Sequence, residues 1–318
     1  MKNISIPNTD LTLSAIGLGT VNAGIAWDHA DAYRIFDSFL GAGGSLIDTA
    51  HVYSDWIPGE TARAERVVGE WIKSRGGKHD DFVLMTKGGH PRNDTMDVSR
   101  MSRDDMEGDL DSSLLQLGVD CVDIYFYHRD DPNQTVDELI EVMESFRRAG
   151  KIRYYACSNW TTARMQAADQ YCRAHGYRGF VANQDLYNMG VAHMLPYPDP
   201  TMVVCDGEML EYHKHTDNLL MPYMGVCSGF FHKLQKKGLD AVAGSCYNTP
   251  ENLEIAKGLN ELCARRGLTI TQALLGFFQV QDVPMLPLAS ASNLAQLTEL
   301  EKALQTEFSP ADYDFLQA

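Results

Sequence analysis

Residues 121–150 read CVDIYFYHRDDPNQTVDELIEVMESFRRAG, and this stretch decides the fold class. Cys121 to Tyr127 is almost wholly apolar and rich in aromatics, as a strand covered on both faces must be. From Val136 to Gly150 the period changes: Leu139, Met143 and Phe146 fall at i, i+4 and i+7 with charges between them, which predicts a helix burying one face. Thr135 and Glu138 have capping-box spacing at its start, and Gly150 stands where a helix should stop. The unit is strand, loop, helix.

Similar units can be placed on either side, around strands near Ile16, Ser45, Phe82, Ile152, Phe180, Leu219 and Pro284. Alternation of this kind is the pattern of a parallel α/β fold, and eight strands predict a closed (β/α)8 TIM barrel. Ile4 to Ser14, with Pro7-Asn8-Thr9-Asp10 in its middle, reads as an N-terminal β-hairpin that plugs the barrel bottom. Asn188 to Asp206 has two Pro-containing turns and little periodicity, so it reads as a loop over one barrel end. A chain of 318 residues suits one barrel, and no low-complexity or Pro/Gly-rich linker divides it, so a single domain over 1–318 is expected.

Composition narrows the function classes. Basic residues number 27 and acidic residues 43, a formal charge of −16 that disfavours nucleic acid and anionic membrane surfaces as partners. The start has no signal-peptide core, and no run approaches the roughly 20 apolar residues of a membrane span. Seven cysteines without a Cys-x-x-Cys pair suit a reducing compartment, so a cytoplasmic location is expected.

In a barrel, chemistry sits where strands give way to loops. Ser45-Leu46-Ile47-Asp48-Thr49-Ala50 ends in an acid, with Tyr53 on the following loop. Phe82-Val83-Leu84-Met85-Thr86-Lys87 ends in a lysine, and Asp123-Ile124-Tyr125-Phe126-Tyr127-His128 in a histidine. Each has an ordinary structural explanation alone: Asp48 as a cap, Tyr53 as packing, Lys87 as a surface cation, His128 as a core histidine.

Together they resemble the aldo-keto reductase family, nearly end to end. Gly17-Leu18-Gly19-Thr20 looks like the family's first strand and turn, and Asp48-Thr49-Ala50 with Tyr53 like its Asp-Thr-Ala-x-x-Tyr signature. Ser113-Leu114, Leu117-Gly118 and Asp123 resemble the segment before the histidine. Gly150-Lys151-Ile152-Arg153, Ser158-Asn159 and Gln184 follow at family spacing. The resemblance implies a tetrad of Asp48, Tyr53, Lys87 and His128, with Tyr53 as general acid. A phenol of pKa about 10 gives up its proton reluctantly, so a cationic Lys87, kept charged by Asp48, is expected to lower it. His128 would position the substrate oxygen by a hydrogen bond.

NADP or NAD is the implied cofactor, and no metal is implied. Ser158, Asn159 and Gln184 would hold the nicotinamide carboxamide, and Tyr223 would stack on the ring, with Gly19, Thr20, Val21 and Asp48 on the same side. Met224 to Gly229, including Met224, Gly225, Ser228 and Gly229, would lie along the pyrophosphate, although Met224-Gly225-Val226 replaces the family's frequent Ser-Pro-Leu. Ser290 to Asn293 aligns with the adenosine-phosphate turn, and Gln296 and Glu299 with the helix beside it. Relatives preferring NADP usually carry Lys or Arg at positions matching Ser290, Ser292 or Gln296; this chain has none there, which favours NAD or little discrimination.

Gly41-Ala42-Gly43-Gly44 follows a helix and precedes a strand, the reverse of the Rossmann order, so it reads as helix termination. His213 and His215 do not share a helix face, which leaves His215 with Glu211 as an exposed pair rather than metal ligands. Thr271 to Val280 reads as barrel packing. On the substrate side, Trp27, Trp56, His90, Arg92, Arg129 and Trp160 are candidates to line the pocket beside Tyr53 and His128. Arg129-Asp130-Asp131, where many family members carry an aromatic, predicts a polar pocket for a small carbonyl, sugar or polyol; Arg92 and Arg129 could equally make surface ion pairs. Two other readings stay open: a nicotinamide-binding regulatory subunit without turnover, and a Schiff-base lyase using Lys87. The oligomeric state is not legible.

Overall fold

The computed structural model describes residues 3–27 and 29–316. Eight strands form one parallel sheet: β3 (Gly17–Gly19), β4 (Leu46–Asp48), β5 (Val83–Gly88), β6 (Val122–Tyr127), β7 (Ile152–Ser158), β8 (Ala182–Gln184), β9 (Leu219–Leu220) and β10 (Leu288–Ala289). Their order is β10-β3-β4-β5-β6-β7-β8-β9. The ends of that row meet: Leu220 bridges Met285, Leu286 N donates to Leu220 O at 2.9 Å and Leu288 N to Pro222 O at 2.8 Å. The sheet is thereby closed as the (β/α)8 barrel that the alternation predicts. The last strand begins four residues after Pro284, because Met285 and Leu286 are spent on the closing contacts to β9.

The hairpin is present as antiparallel β1 (Asn3–Ser5) and β2 (Thr12–Ser14). It sends Ile6, Leu11 and Leu13 into the same apolar cluster as Leu46, Met85, Ile124, Phe126 and Ala156, which fill the barrel. A second cluster joins the outward-facing strand residues, such as Leu84, Tyr125 and Tyr155, to the surrounding helices. In the helix of the opening stretch, α4 (Val136–Arg148), both capping-box bonds form, and Gly150 at φ +75° turns the chain out. The first helix, α1 (His29–Gly41), ends at the glycine-rich run. From Thr271 to Val280, a short helix (Ile270–Gly276) tightens into a 3-10 turn with Leu274, Leu275, Phe277 and Phe278 buried, in keeping with packing.

Strand periodicity positions the functional end. Side chains two apart share a face, so the inward rows run Leu46 to Asp48, Met85 to Lys87, Phe126 to His128, Ala156 to Ser158 and Ala182 to Gln184. Each row is apolar inside the barrel and polar at its C-terminal mouth. The segment after β8 arches over that mouth with a single 3-10 turn (Val191–His193) and returns to pair with Leu186 through Val203 O and Cys205 N, 3.0 Å each. Among the described residues, no helix is long and apolar enough to cross a membrane.

Candidate active site

A cleft of about 420 Å3 opens at the mouth, and Asp48, Tyr53, Lys87 and His128 all line it. Lys87 is buried. Its ammonium donates to Asp48 Oδ1, to Thr49 O at 2.9 Å and to the Tyr53 hydroxyl at 3.2 Å. Burial alone would lower the Lys87 pKa, but the Asp48 carboxylate and the Tyr53 oxygen outweigh it and hold the pKa above the ordinary lysine value. Burial also raises the Tyr53 phenol above its usual value, and Lys87 opposes this without reversing it. The expected lowering of the phenol by Lys87 is therefore present but overridden by desolvation.

His128 packs edge-on against Tyr53, with ring centroids 5.8 Å apart, and against His90 at 4.8 Å. Burial above all, with the charges of Arg129 and Lys87, pushes its pKa well below the ordinary histidine range, so the ring is neutral at pH 7. Its Nδ1 is buried without a partner. His90 is likewise kept neutral, down to about 4, chiefly by burial; its Nδ1 lies 2.6 Å from the Pro91 carbonyl, which can only accept.

The opposite walls come from the predicted cofactor residues. Gly19, Val21 and Ser290 line one side, Ser158, Asn159, Gln184 and Tyr223 another, and Met224, Gly225 and Ser228 the rim. A Cβ at Gly19 would stand 2.8 Å from Ser290 Oγ, so a larger residue there would have to displace that hydroxyl. Met224, Ser228 and Asn159 take left-handed backbone (φ +59°, +52° and +62°), a conformation that Asn tolerates well and that is costly for Met and Ser. Asn159 is fully engaged: Nδ2 donates to His128 O at 3.2 Å and Ser158 Oγ at 3.0 Å, while Oδ1 accepts from Val203 N at 3.0 Å and the Tyr223 hydroxyl at 2.6 Å. Gln184 Nε2 reaches Asp48 Oδ1 at 3.5 Å.

Other candidates lie off the cleft wall. Thr20 is buried, its N–H donating to Asp48 O at 2.9 Å; Gly229 (φ +74°) precedes the helix α7 (Phe230–Lys237). Gln296 accepts from Ser292 N at 2.6 Å, and Glu299 from the Thr271 hydroxyl at 2.6 Å. Trp27 is in the core against Phe36, and Trp160 is buried on Tyr127, donating Nε1 to Arg129 O at 3.2 Å. Trp56 is half exposed and Arg92 exposed. Arg129 does line the cleft. His215 pairs with Glu211 on the surface, as expected, and among the described residues no His, Cys, Asp and Glu group could hold a metal.

The structure adds residues that sequence reasoning missed. Met202, Leu288 and Ala289 line the cleft. Asp185, whose carboxyl burial pushes up to about 8, accepts from Asn159 N at 3.0 Å and Asn183 Nδ2 at 2.8 Å and so supports Asn159 from below. Its signal was the polar triplet Asn183-Gln184-Asp185 at a strand end; Met202, in a segment without period, gave none.

Known proteins align with this architecture. The aldo/keto reductase family model matches residues 15–318. Norsolorinic acid reductase B of Dothistroma septosporum is 26% identical over 330 aligned residues, covering 98% of this chain and 79% of that protein. An NADP(+) aryl-alcohol dehydrogenase of Phanerodontia chrysosporium is 24% identical, covering 98% and 83%, and a probable aryl-alcohol dehydrogenase of Saccharomyces cerevisiae 22%, covering 90% and 87%. The family match takes in every strand of the barrel and every residue at its mouth, so the chain belongs to the aldo/keto reductase family.

Proposed function

We propose that this chain is a nicotinamide-dependent oxidoreductase interconverting a carbonyl compound and its alcohol, with Tyr53 as the proton donor in reduction and acceptor in oxidation. The observation that carries the reading is the Tyr53 hydroxyl 3.2 Å from an ammonium that Asp48 keeps charged, on the wall of the cleft at the barrel mouth. Burial keeps Tyr53 protonated and able to act as an acid, and Lys87 stabilises the phenolate left when the proton leaves. The unpartnered Nδ1 of His128 favours the tautomer with its proton on Nε2, since a buried orphan N–H costs more than a bare lone pair. Nε2 can then donate to the substrate oxygen.

The lining fits the cofactor. The amide and hydroxyl groups of Ser158 and Gln184 suit a carboxamide, Tyr223 offers an aromatic face, and the rim at Met224, Gly225 and Ser228 leads through Gly229 into the N-terminus of α7, which suits a pyrophosphate. When bound, the nicotinamide supplies the hydride. Asn159 can join the carboxamide only by giving up a present partner, Val203 N or the Tyr223 hydroxyl being the exchangeable ones. No cation stands at Ser290, Ser292 or Gln296, and the Glu299 carboxylate adds negative charge on the same helix, which supports NAD or weak discrimination over a strict NADP preference. Small carbonyls, sugars and polyols are the candidate substrates, and the names of two relatives add aryl alcohols. A cytoplasmic location accords with seven unpaired cysteines. A lysine held protonated by a buried acid is poorly suited to Schiff-base chemistry, which disfavours the lyase.

Titration with NADH, NADPH and their oxidised forms, beside a carbonyl turnover screen, tests the reading. Tyr53→Phe should keep cofactor affinity and lose about 10^2- to 10^4-fold in turnover. Absence of nicotinamide binding would overturn it, and binding without turnover would revive the regulatory alternative.

A further inference from the structure

Three residues lining the cleft carry a full charge: Asp48, Lys87 and Arg129. Asp48 and Lys87 offset one another. Arg129 has its carboxylate partner, Asp199, behind the lining, so the guanidinium is the charge presented to the cleft without an acidic neighbour on the wall itself. Its side chain is nearly buried and already aimed: Nε donates to Thr201 Oγ1 at 2.7 Å, Nη1 to His128 O at 2.9 Å and Nη2 to Asp199 Oδ2 at 3.2 Å. Those bonds use three of a guanidinium's five N–H groups. Asp199 meets it through one oxygen rather than a fork, and its other oxygen is taken by Thr201 N at 2.9 Å and Thr201 Oγ1 at 2.6 Å. The Asp199–Thr201 turn thus fixes the orientation of the cation without covering its remaining donors. Arg129 directly follows His128, and its charge bears on both Tyr53 and His128.

We propose that Arg129 determines specificity by selecting carbonyl substrates that bear a carboxylate, whose carbonyl oxygen meets Tyr53 and His128 while the carboxylate takes the unspent donors of the guanidinium. Hydroxyls of a neutral sugar could bond there too, but a carboxylate gives the guanidinium charge-assisted, two-pronged bonds that a hydroxyl cannot. The carboxylate is a spectator: hydride adds to the carbonyl carbon, the Tyr53 proton goes to its oxygen, and the acid group is unchanged. This inference rests on the reductase reading above.

The test compares kcat/KM for 4-carboxybenzaldehyde with that for its methyl ester, which presents the same aldehyde without the charge. The native protein should favour the acid by about ten- to a hundredfold. Arg129→Met should bring the ratio to about one or below, mainly through KM, and Arg129→Lys should keep part of the preference. Were Arg129 only a pin for the segment over the mouth, Arg129→Met would slow acid and ester in equal proportion and leave the ratio intact, and the proposal would fall. It falls equally if the native protein reduces the ester as well as the acid, an outcome that leaves the reductase reading standing. Reduction of neither, with no nicotinamide binding, removes the reductase reading and this inference with it.

Discussion

Lys87→Met offers the sharpest structural prediction, because Lys87 and Asp48 are both buried and, among the described residues, each is the other's only charged partner within bonding reach. The substitution keeps the apolar stem and deletes the ammonium. It leaves Asp48 with a 3.5 Å contact from Gln184 Nε2, and takes one donor from Thr49 O and another from the Tyr53 hydroxyl. Breaking a buried pair from one side costs about 3–5 kcal/mol, most of it the stranded charge. Lys87→Met should therefore lose about that much in urea unfolding followed by tryptophan fluorescence, the chain having four tryptophans. Adding Asp48→Asn removes the stranded charge, so the double variant should recover at least about 2 kcal/mol relative to the sum of the two single losses. The pH dependence supplies a sign. Burial already raises the Asp48 carboxyl, and loss of Lys87 removes the main opposing influence. A carboxyl with its folded pKa above the unfolded value stabilises at low pH and loses that contribution as pH rises, so the single variant should be less impaired at pH 5 than at pH 8. Additive losses across the cycle, with no difference between those pH values, would refute the ion-pair argument.

Glu65 sits on α2 (Arg63–Ser74), fully buried behind β5, and accepts from the Thr86 hydroxyl at 2.5 Å; burial pushes its carboxyl up to about 7. That raised pKa makes its stabilisation a low-pH property, lost as pH climbs from about 4.5 through about 7, so Glu65→Gln should be more stable than the native protein at pH 8, by on the order of 3 kcal/mol, and gain little at pH 5; a constant difference across pH would contradict this. Asn159→Ala removes the acceptor for Val203 N and the Tyr223 hydroxyl. Hydrogen exchange at the Val203 amide should then be faster and nicotinamide affinity about tenfold or more weaker, while unchanged exchange would show that the segment over the mouth is held elsewhere.

Much of this site was legible because strand chemistry is periodic. Asp48, Lys87 and His128 each continue an inward row of apolar residues by one more step of two, so a polar residue ending an apolar strand already marks the mouth of a barrel. Loop residues obey no such rule. Trp27 and Trp160 follow strands, as pocket residues do, yet each finds more apolar surface in the core than at the mouth, and both are buried there. Met202 reaches the cleft from a segment whose path is set by pairing at Leu186 and by anchors at Arg129 and Asn159, contacts distant in sequence. Left-handed backbone at Met224 and Ser228 was equally invisible, since neither residue type favours it. The acidity of Tyr53 needed structure too: its lysine neighbour was readable, but the depth of burial that outweighs it was not.

The central claim is hydride transfer at the cleft with Tyr53 as the proton source, and isotope tracing tests it most directly. Reduction of an aldehyde with nicotinamide cofactor dideuterated at C4 should place one deuterium on the carbinol carbon, and Tyr53→Phe should abolish nearly all of that product while still binding the cofactor. An alcohol whose carbinol carbon carries hydrogen from solvent, or undiminished product from Tyr53→Phe, would contradict the account.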